Sequence, residues 1–177
     1  MKFYGRSRND DKEFMGKIEA MEQEVDKLSQ EASAIAEAGE GETRARDRLF
    51  SVEDPLHEDD WEGFAQITKK SRIMVVGDDL LVTNPQRVRK AIEMKACNAV
   101  LVKPNQIGTV TETLEVIELA KKSGWNYIIS HRSGETTDTF ISHLAFGIGA
   151  PFMKAGAPCR GERTAKYNEL LRLEELI

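Results

Sequence analysis

Short apolar runs recur along the chain from residue 49 onward, and a charged side chain follows each. Leu49-Phe50-Ser51-Val52 leads into Glu53, Ile73-Met74-Val75-Val76 into Asp78, and Ala99-Val100-Leu101-Val102 into Lys103. Tyr127-Ile128-Ile129 leads into His131, and Phe152-Met153 into Lys154. Successive runs end roughly 25 residues apart, the length of one strand–helix unit. Between them the apolar period becomes helical. Asp59 to Lys70 turns Trp61, Phe64 and Ile67 inward. Asn84-Pro85 is a start signal, with Asn as N-cap and Pro at the first helical position, for a helix carrying Val88, Ala91 and Ile92. Thr109 to Lys122 reads as a helix through Val110, Leu114, Ile117 and Ala120, closed near Gly124. Asp138 can cap a helix with Ile141, Leu144, Ala145 and Ile148 on one face, and the last helix runs from about Glu162 to Glu175 through Leu170, Leu171 and Leu173. Pro104-Asn105-Gln106 reads as a tight turn.

Strands alternating with helices predict an α/β fold with parallel strands. In a sheet curved as a barrel, strand C-terminal ends share one rim, where active sites of such barrels sit. The chain has 177 residues, whereas a complete eight-unit barrel usually takes about 250. The expectation is therefore a partial (β/α) barrel of about five parallel strands over residues 49–177, preceded by a helical segment and linker over residues 1–48.

That first segment has its own pattern. From Asp10 to Ala38 the apolar positions Phe14, Ile18, Met21, Val25, Leu28, Ala32 and Ile35 alternate steps of four and three. This is a 3.5-residue repeat with β-branched residues at a and Leu-like residues at d, the pattern of a two-stranded parallel coiled coil. An amphipathic helix lying on its own chain reads the same way, and Gly16 and Ala32 weaken the seam. Gly39-Glu40-Gly41-Glu42 stops the helix, and residues 39–48, with Arg44, Arg46 and Arg48, read as a solvated connector or a phosphate site.

A net charge of −5 argues against a general nucleic-acid binder, for which a basic face is expected. No apolar stretch approaches the roughly 20 residues needed to span a bilayer, so no membrane role is expected. Cys97 and Cys159 lack CxxC spacing and read as free thiols in a reducing compartment. Without a signal-peptide pattern, the cytoplasm is the expected location.

The rim residues suggest their own chemistry. Glu53 and Asp78 are hard oxygen ligands from adjacent strand ends, which suits Mg²⁺ better than Zn²⁺. Each is followed by a second acid, Asp54 or Asp79, able to cap the following turn. Lys103, partly desolvated beside other cations, is a usable base. Arg132 and Ser133 could grip a phosphate, with His131 beside them and Lys154 as a second fixed positive charge. His57 and His143 fall outside the strand-end pattern. A metal, a phosphate grip and a lysine base together suit proton abstraction next to a carboxylate.

Residues 51–175 resemble the C-terminal part of enolase, the phosphopyruvate hydratase family. The matching runs are Ser51-Val52-Glu53-Asp54-Pro55 with Glu58-Asp59-Asp60-Trp61, and Val76-Gly77-Asp78-Asp79-Leu80 with Val82-Thr83-Asn84-Pro85. They continue as Leu101-Val102-Lys103-Pro104-Asn105-Gln106-Ile107-Gly108, then Ser130-His131-Arg132-Ser133-Gly134-Glu135-Thr136. Lys154-Ala155-Gly156-Ala157-Pro158 and Arg163-Thr164-Ala165-Lys166-Tyr167-Asn168 complete them, in wording similar to archaeal members. The resemblance implies Mg²⁺-dependent dehydration of 2-phosphoglycerate to phosphoenolpyruvate, a glycolytic step that also runs in reverse. It implies that Glu53 and Asp78 are two of three carboxylates on the first metal, and that Lys103 is the base at carbon 2. It also implies that His131, Arg132 and Ser133 hold substrate, with Lys154 on the substrate carboxylate. The family's third metal ligand, an aspartate, its general-acid glutamate, a second glutamate and its mobile serine loop have no counterpart here. Lys2-Phe3-Tyr4 resembles a remnant of the segment that follows the aspartate strand. The chain alone is therefore expected to lack dehydratase activity and to expose open barrel edges.

Three readings follow: an enolase represented by a partial chain, which a complementing N-terminal enolase chain could complete; a non-catalytic relative assembling through the heptad helix as a homodimer; and another lyase or racemase of the same superfamily. If the heptad helix pairs, chemical crosslinking traps a dimer that Leu28→Asp abolishes. A chain that stays monomeric at high concentration would exclude pairing.

Overall fold

A computed structural model describes residues 50–176. The helix expected over residues 10–38, the connector over residues 39–48 and the Lys2-Phe3-Tyr4 run lie outside the described residues. Five strands form, each where an apolar run predicts one: β1 (Ser51–Glu53), β2 (Met74–Gly77), β3 (Ala99–Val102), β4 (Asn126–Ser130) and β5 (Phe152–Lys154). They pair in parallel and in sequence order, with Val52 beside Val75, Val76 beside Ala99, Leu101 beside Ile128 and Ser130 beside Lys154. The connections carry α1 (Trp61–Lys70), α2 (Pro85–Met94), α3 (Pro104–Ile107), α4 (Val110–Lys122) and α5 (Phe140–Gly147), and α6 (Gly161–Glu174) follows β5. The result is half of a (β/α) barrel. Among the described residues, β1 and β5 each have a single strand neighbour.

Alternation along the strands divides the apolar side chains between two faces. Val75, Val100, Val102, Tyr127 and Ile129 join Phe64, Val88, Ala91, Val116, Ile117 and Ala120 in the core beneath the helices. Met74, Val76, Ala99 and Leu101 form a second buried cluster with Ile128 and Phe152 against it.

Polar caps fix where the helices begin. Asp60 accepts from the Gly63 N–H, Asn84 from those of Gln86 and Arg87, and Thr109 from that of Glu112. Asp138 accepts from the Phe140 N–H at 2.9 Å, two residues on, while Thr139 holds the N-cap position of α5.

Three helical expectations need correction. Val110 and Leu114 are 48% and 42% exposed, and the buried face of α4 is Thr113, Val116, Ile117 and Ala120. Thr113 can be buried because its hydroxyl donates to the Thr109 carbonyl at 2.7 Å. On α6, Leu173 is buried but Leu171 is exposed, and Lys166 takes a core position. Pro104–Ile107 makes a helical turn, ended by Gly108 at φ 98°.

Cys97 is buried and Cys159 exposed, and both thiols are free. Burial, aided by the nearby Asp54 charge, pushes the Cys97 thiol up to about 12. Among the described residues, no helix is long and apolar enough to cross a membrane.

Phe64 is fully buried on α1. Phe64→Ala should lower unfolding free energy by about 3–5 kcal/mol, read from denaturant midpoints of the full chain.

Candidate active site

Four of the expected rim residues share one strand parity. Met74 and Val76 lie in the second cluster, so the next residue of that series on β2 is Asp78; Ala99 and Leu101 lead likewise to Lys103, and Phe152 to Lys154. Val52 packs with the helix-side core, which gives Glu53 the opposite face. The contacts agree with this parity. The Lys154 Nζ lies 2.6 Å from Glu53 Oε2 and 2.8 Å from Oε1, although these residues belong to the first and last strands. The Lys103 Nζ donates to Asp78 Oδ2 at 2.5 Å, with both side chains largely buried. Lys103 thus has an anion as its immediate partner, where the sequence suggested neighbouring cations.

The doublet acids divide their work. Asp54 Oδ1 accepts the Asp78 N–H at 2.9 Å, and Oδ2 accepts the Asp79 N–H at 2.7 Å. Asp54 therefore clamps the turn after β2 from the neighbouring strand, with its own backbone at φ 44°. Burial raises its pKa, and the Asp78 and Asp79 charges add to the rise against the two amide bonds. The ligand oxygens of Asp54, Asp78 and Asp79 lie within 4.8 Å of one another. Asp78 Oδ1 is buried with no hydrogen-bond partner. Three crowded carboxylates and an orphaned oxygen suit a hard divalent cation. Glu53, the other expected ligand, pairs with Lys154.

His131 departs from the rim parity, because Ser130 occupies the register position opposite Lys154. Its N–H donates to the Lys154 carbonyl at 2.9 Å, extending the ladder by one bond. Its ring lies against Gly156, where an added Cβ would stand 3.1 Å from His131 Cε1 and closer still to Arg163. Nδ1 is buried without a partner. Burial lowers the His131 pKa; Glu135 opposes this, while Arg163, Lys154 and Lys166 reinforce it. Arg132 reaches Asn105 Oδ1 at 3.5 Å, and Ser133 is exposed in the same loop.

Two supports escape a strand-end reading. Thr83, fully buried at φ 53°, accepts the Lys103 N–H on its hydroxyl at 2.9 Å and donates towards Gln106 Oε1 at 3.1 Å. Glu135 accepts the Arg132 N–H at 2.7 Å and pairs with Lys166 at 2.7 Å. Burial alone would raise the Glu135 pKa, but Lys166 and the Arg132 N–H outweigh it and hold the carboxyl below its usual range. Stability from this group is fully present above the ordinary carboxylate value and lost as pH falls through the lowered one. Sequence spacing could not show the Thr83–Lys103 or the Glu135–Lys166 contact, since each joins segments that are distant along the chain.

The family model described as "Enolase, C-terminal TIM barrel domain" matches residues 3–177. Similar curated proteins include "Enolase 2" of Hevea brasiliensis, 57% identical over 129 residues, covering 72% of this chain and 29% of the relative. "Enolase" of Solanum lycopersicum matches at the same identity and coverage. "Enolase 2" of the archaeon Methanospirillum hungatei JF-1 is 56% identical over 131 residues, covering 73% and 31%. The match spans less than a third of the length of each of these relatives.

The unpartnered His131 Nδ1 and the cations around the ring favour its neutral form. An NMR titration of the full chain, with the resonance assigned by its loss in His131→Gln, should give a midpoint below the ordinary 6.5. A midpoint at or above that value would contradict the burial described. By the same sign, stability tied to the neutral ring is complete above 6.5 and declines as pH falls below it.

Proposed function

This chain belongs to the enolase family, and on that premise we propose that its strand tips form the substrate- and metal-binding rim of a phosphopyruvate hydratase. The reaction is the loss of water from 2-phosphoglycerate to give phosphoenolpyruvate, as in glycolysis, and its reversal. The observation that carries this reading is the meeting of Glu53 and Lys154 from the first and last strands, together with the buried Asp78–Lys103 pair on the same face of the sheet.

In this reading Lys103 Nζ, once it has given up its own proton and released Asp78, takes the proton from carbon 2 of the substrate, and the hydroxide at carbon 3 leaves with a proton from the general acid that a complementing enolase chain would supply. Lys154 Nζ faces the substrate carboxylate, and exchanges its Glu53 partner for it as the ligand enters. The Arg132 guanidinium grips the phosphate with two parallel hydrogen bonds, and the Ser133 hydroxyl adds a third donor. His131, held neutral, can donate through one ring nitrogen only. The divalent cation we propose is Mg²⁺, held by Asp78 with Glu53 or with Asp54 and Asp79. Asp78 Oδ1 is the atom best suited to it, being buried and unpartnered. When bound, the cation supplies positive charge against the substrate carboxylate.

The same premise bears on partners and location. Because β1 and β5 each have one strand neighbour among the described residues, strands from a complementing enolase chain are a proposed partner. Two unbridged thiols fit a reducing compartment such as the cytoplasm. The non-catalytic assembly reading rests on the heptad helix, outside the described residues.

Calorimetric titration of the full chain with 2-phosphoglycerate tests the rim. Arg132→Gln should weaken binding about tenfold or more, and Asp78→Asn should remove the dependence of binding on Mg²⁺. Variants that both bind as tightly as the unaltered chain, and keep its response to Mg²⁺, would overturn the reading.

A further inference from the structure

Lys166 lies on α6 with its side chain 1% exposed, and the proposed chemistry gives it no part. Its Nζ donates to Glu135 Oε2 at 2.7 Å and to the Thr136 carbonyl at 2.5 Å. The other Glu135 oxygen, Oε1, accepts the backbone N–H of Arg132 at 2.7 Å. A chain of charge-assisted bonds thus runs from the interior of α6 to the backbone of the residue that carries the guanidinium. The inner end of this chain is itself anchored. The Ser142 hydroxyl on α5 donates to the Lys166 carbonyl at 3.0 Å, and the neighbouring Tyr167 hydroxyl donates to the Gly156 carbonyl in the loop after β5.

Apart from the His131 N–H on the Lys154 carbonyl and the turn bonds Asp138 N–H to Thr136 Oγ1 and Phe140 N–H to Asp138 Oδ1, the loop at the outer end has little to fix its shape. Ser133, Gly134, Thr136, Thr137 and Asp138 are all exposed, so no apolar side chain among them seats the loop in the core. The Arg132 side chain has one direct hydrogen bond among the described residues, to Asn105 Oδ1 at 3.5 Å, the outer limit for such a bond. The direction of its guanidinium therefore depends on where its backbone is held, and a carboxylate accepting that N–H holds it firmly.

We propose that Glu135 is a positioning residue, braced by Lys166, which fixes the Arg132 backbone so that the guanidinium is preset for an anionic phosphoester ligand. The inference rests on the reading of Arg132 as a phosphate-binding residue. Glu135 acts through an oxygen at one position, and its charge serves to hold Lys166. An amide oxygen in the same place keeps the backbone bond. An aliphatic side chain of similar size loses it.

The test uses the full chain and two double variants, so that neither leaves a buried charge unpaired. Glu135→Gln with Lys166→Met keeps the acceptor, and Glu135→Leu with Lys166→Met removes it; circular dichroism establishes that both fold. The readouts are Arg132 amide hydrogen exchange by NMR and the Kd for 2-phosphoglycerate with Mg²⁺. The Leu double variant should exchange faster and bind about tenfold more weakly than the Gln double variant. The Gln variant should stay within about threefold of the unaltered chain, a rescue that a purely structural contact would not give. Equal exchange in the two doubles overturns the proposal, and so does unequal exchange with equal affinity. An unaltered chain that binds no 2-phosphoglycerate would refute the phosphate-binding reading of Arg132 itself. That failure is recognisable because the difference in exchange between the doubles would persist.

Discussion

Glu53 and Lys154 are 101 residues apart and sit on strands at opposite ends of the sheet, yet their side chains touch. Two constraints must hold together for that contact to exist. The sheet must curl, which parallel strands do through their accumulated twist. Each strand must also stay in register to its last residue, because a shift of one position would turn its terminal side chain to the helix side. The register from Val52–Val75 to Ser130–Lys154 meets that condition across all five strands. Once it is met, Glu53, Asp78, Lys103 and Lys154 all fall on one face of the sheet, and His131 alone among the expected rim residues does not.

Charges brought together in this way need compensation, and the tips supply it as pairs of opposite sign. Lys103 and Asp78 are the more deeply buried pair, where loss of either partner would leave an isolated ion in a poor solvent. Around them the supporting structure is polar and strained. Asp54, Val82 and Thr83 all adopt positive φ without being glycine. Such backbones persist where surrounding bonds over-determine them, and here those bonds are the Asp54 clamp on two amides and the Thr83 hydroxyl beneath Lys103. Apolar packing supplies stability behind the tips, and hydrogen bonds supply aim at them.

The division between what was legible in the sequence and what was not follows the same line. All five strands could be read, because a buried parallel strand is a short apolar run and its end is marked by the first charge. Helix starts were legible at Asn84 and Thr109, whose caps use only neighbouring residues. The face of α4 was misread because a threonine that satisfies its hydroxyl within its own helix can take a core position that composition assigns to leucine. Lys166 was read as part of a motif and not as a core residue, since only the loop thirty positions earlier makes its burial tolerable. The pairing of Glu53 with Lys154 also escaped, because a strand-end pattern predicts a shared rim but not which side chains on it meet. Motif wording reached the family, while the contacts that steer individual side chains needed coordinates.

The two cysteines differ in a way that has a practical use. Cys97 is sealed beneath Gly77, whose missing side chain leaves room for Leu81 and the sulfur, and burial keeps its proton in place at neutral pH. Cys159 stands in the open, two residues before α6 begins. Among the described residues, a maleimide dye would therefore select the second sulfur without mutagenesis. The fluorophore would sit at the entrance to the helix that braces the arginine loop, as a ready-made optical reporter of events there.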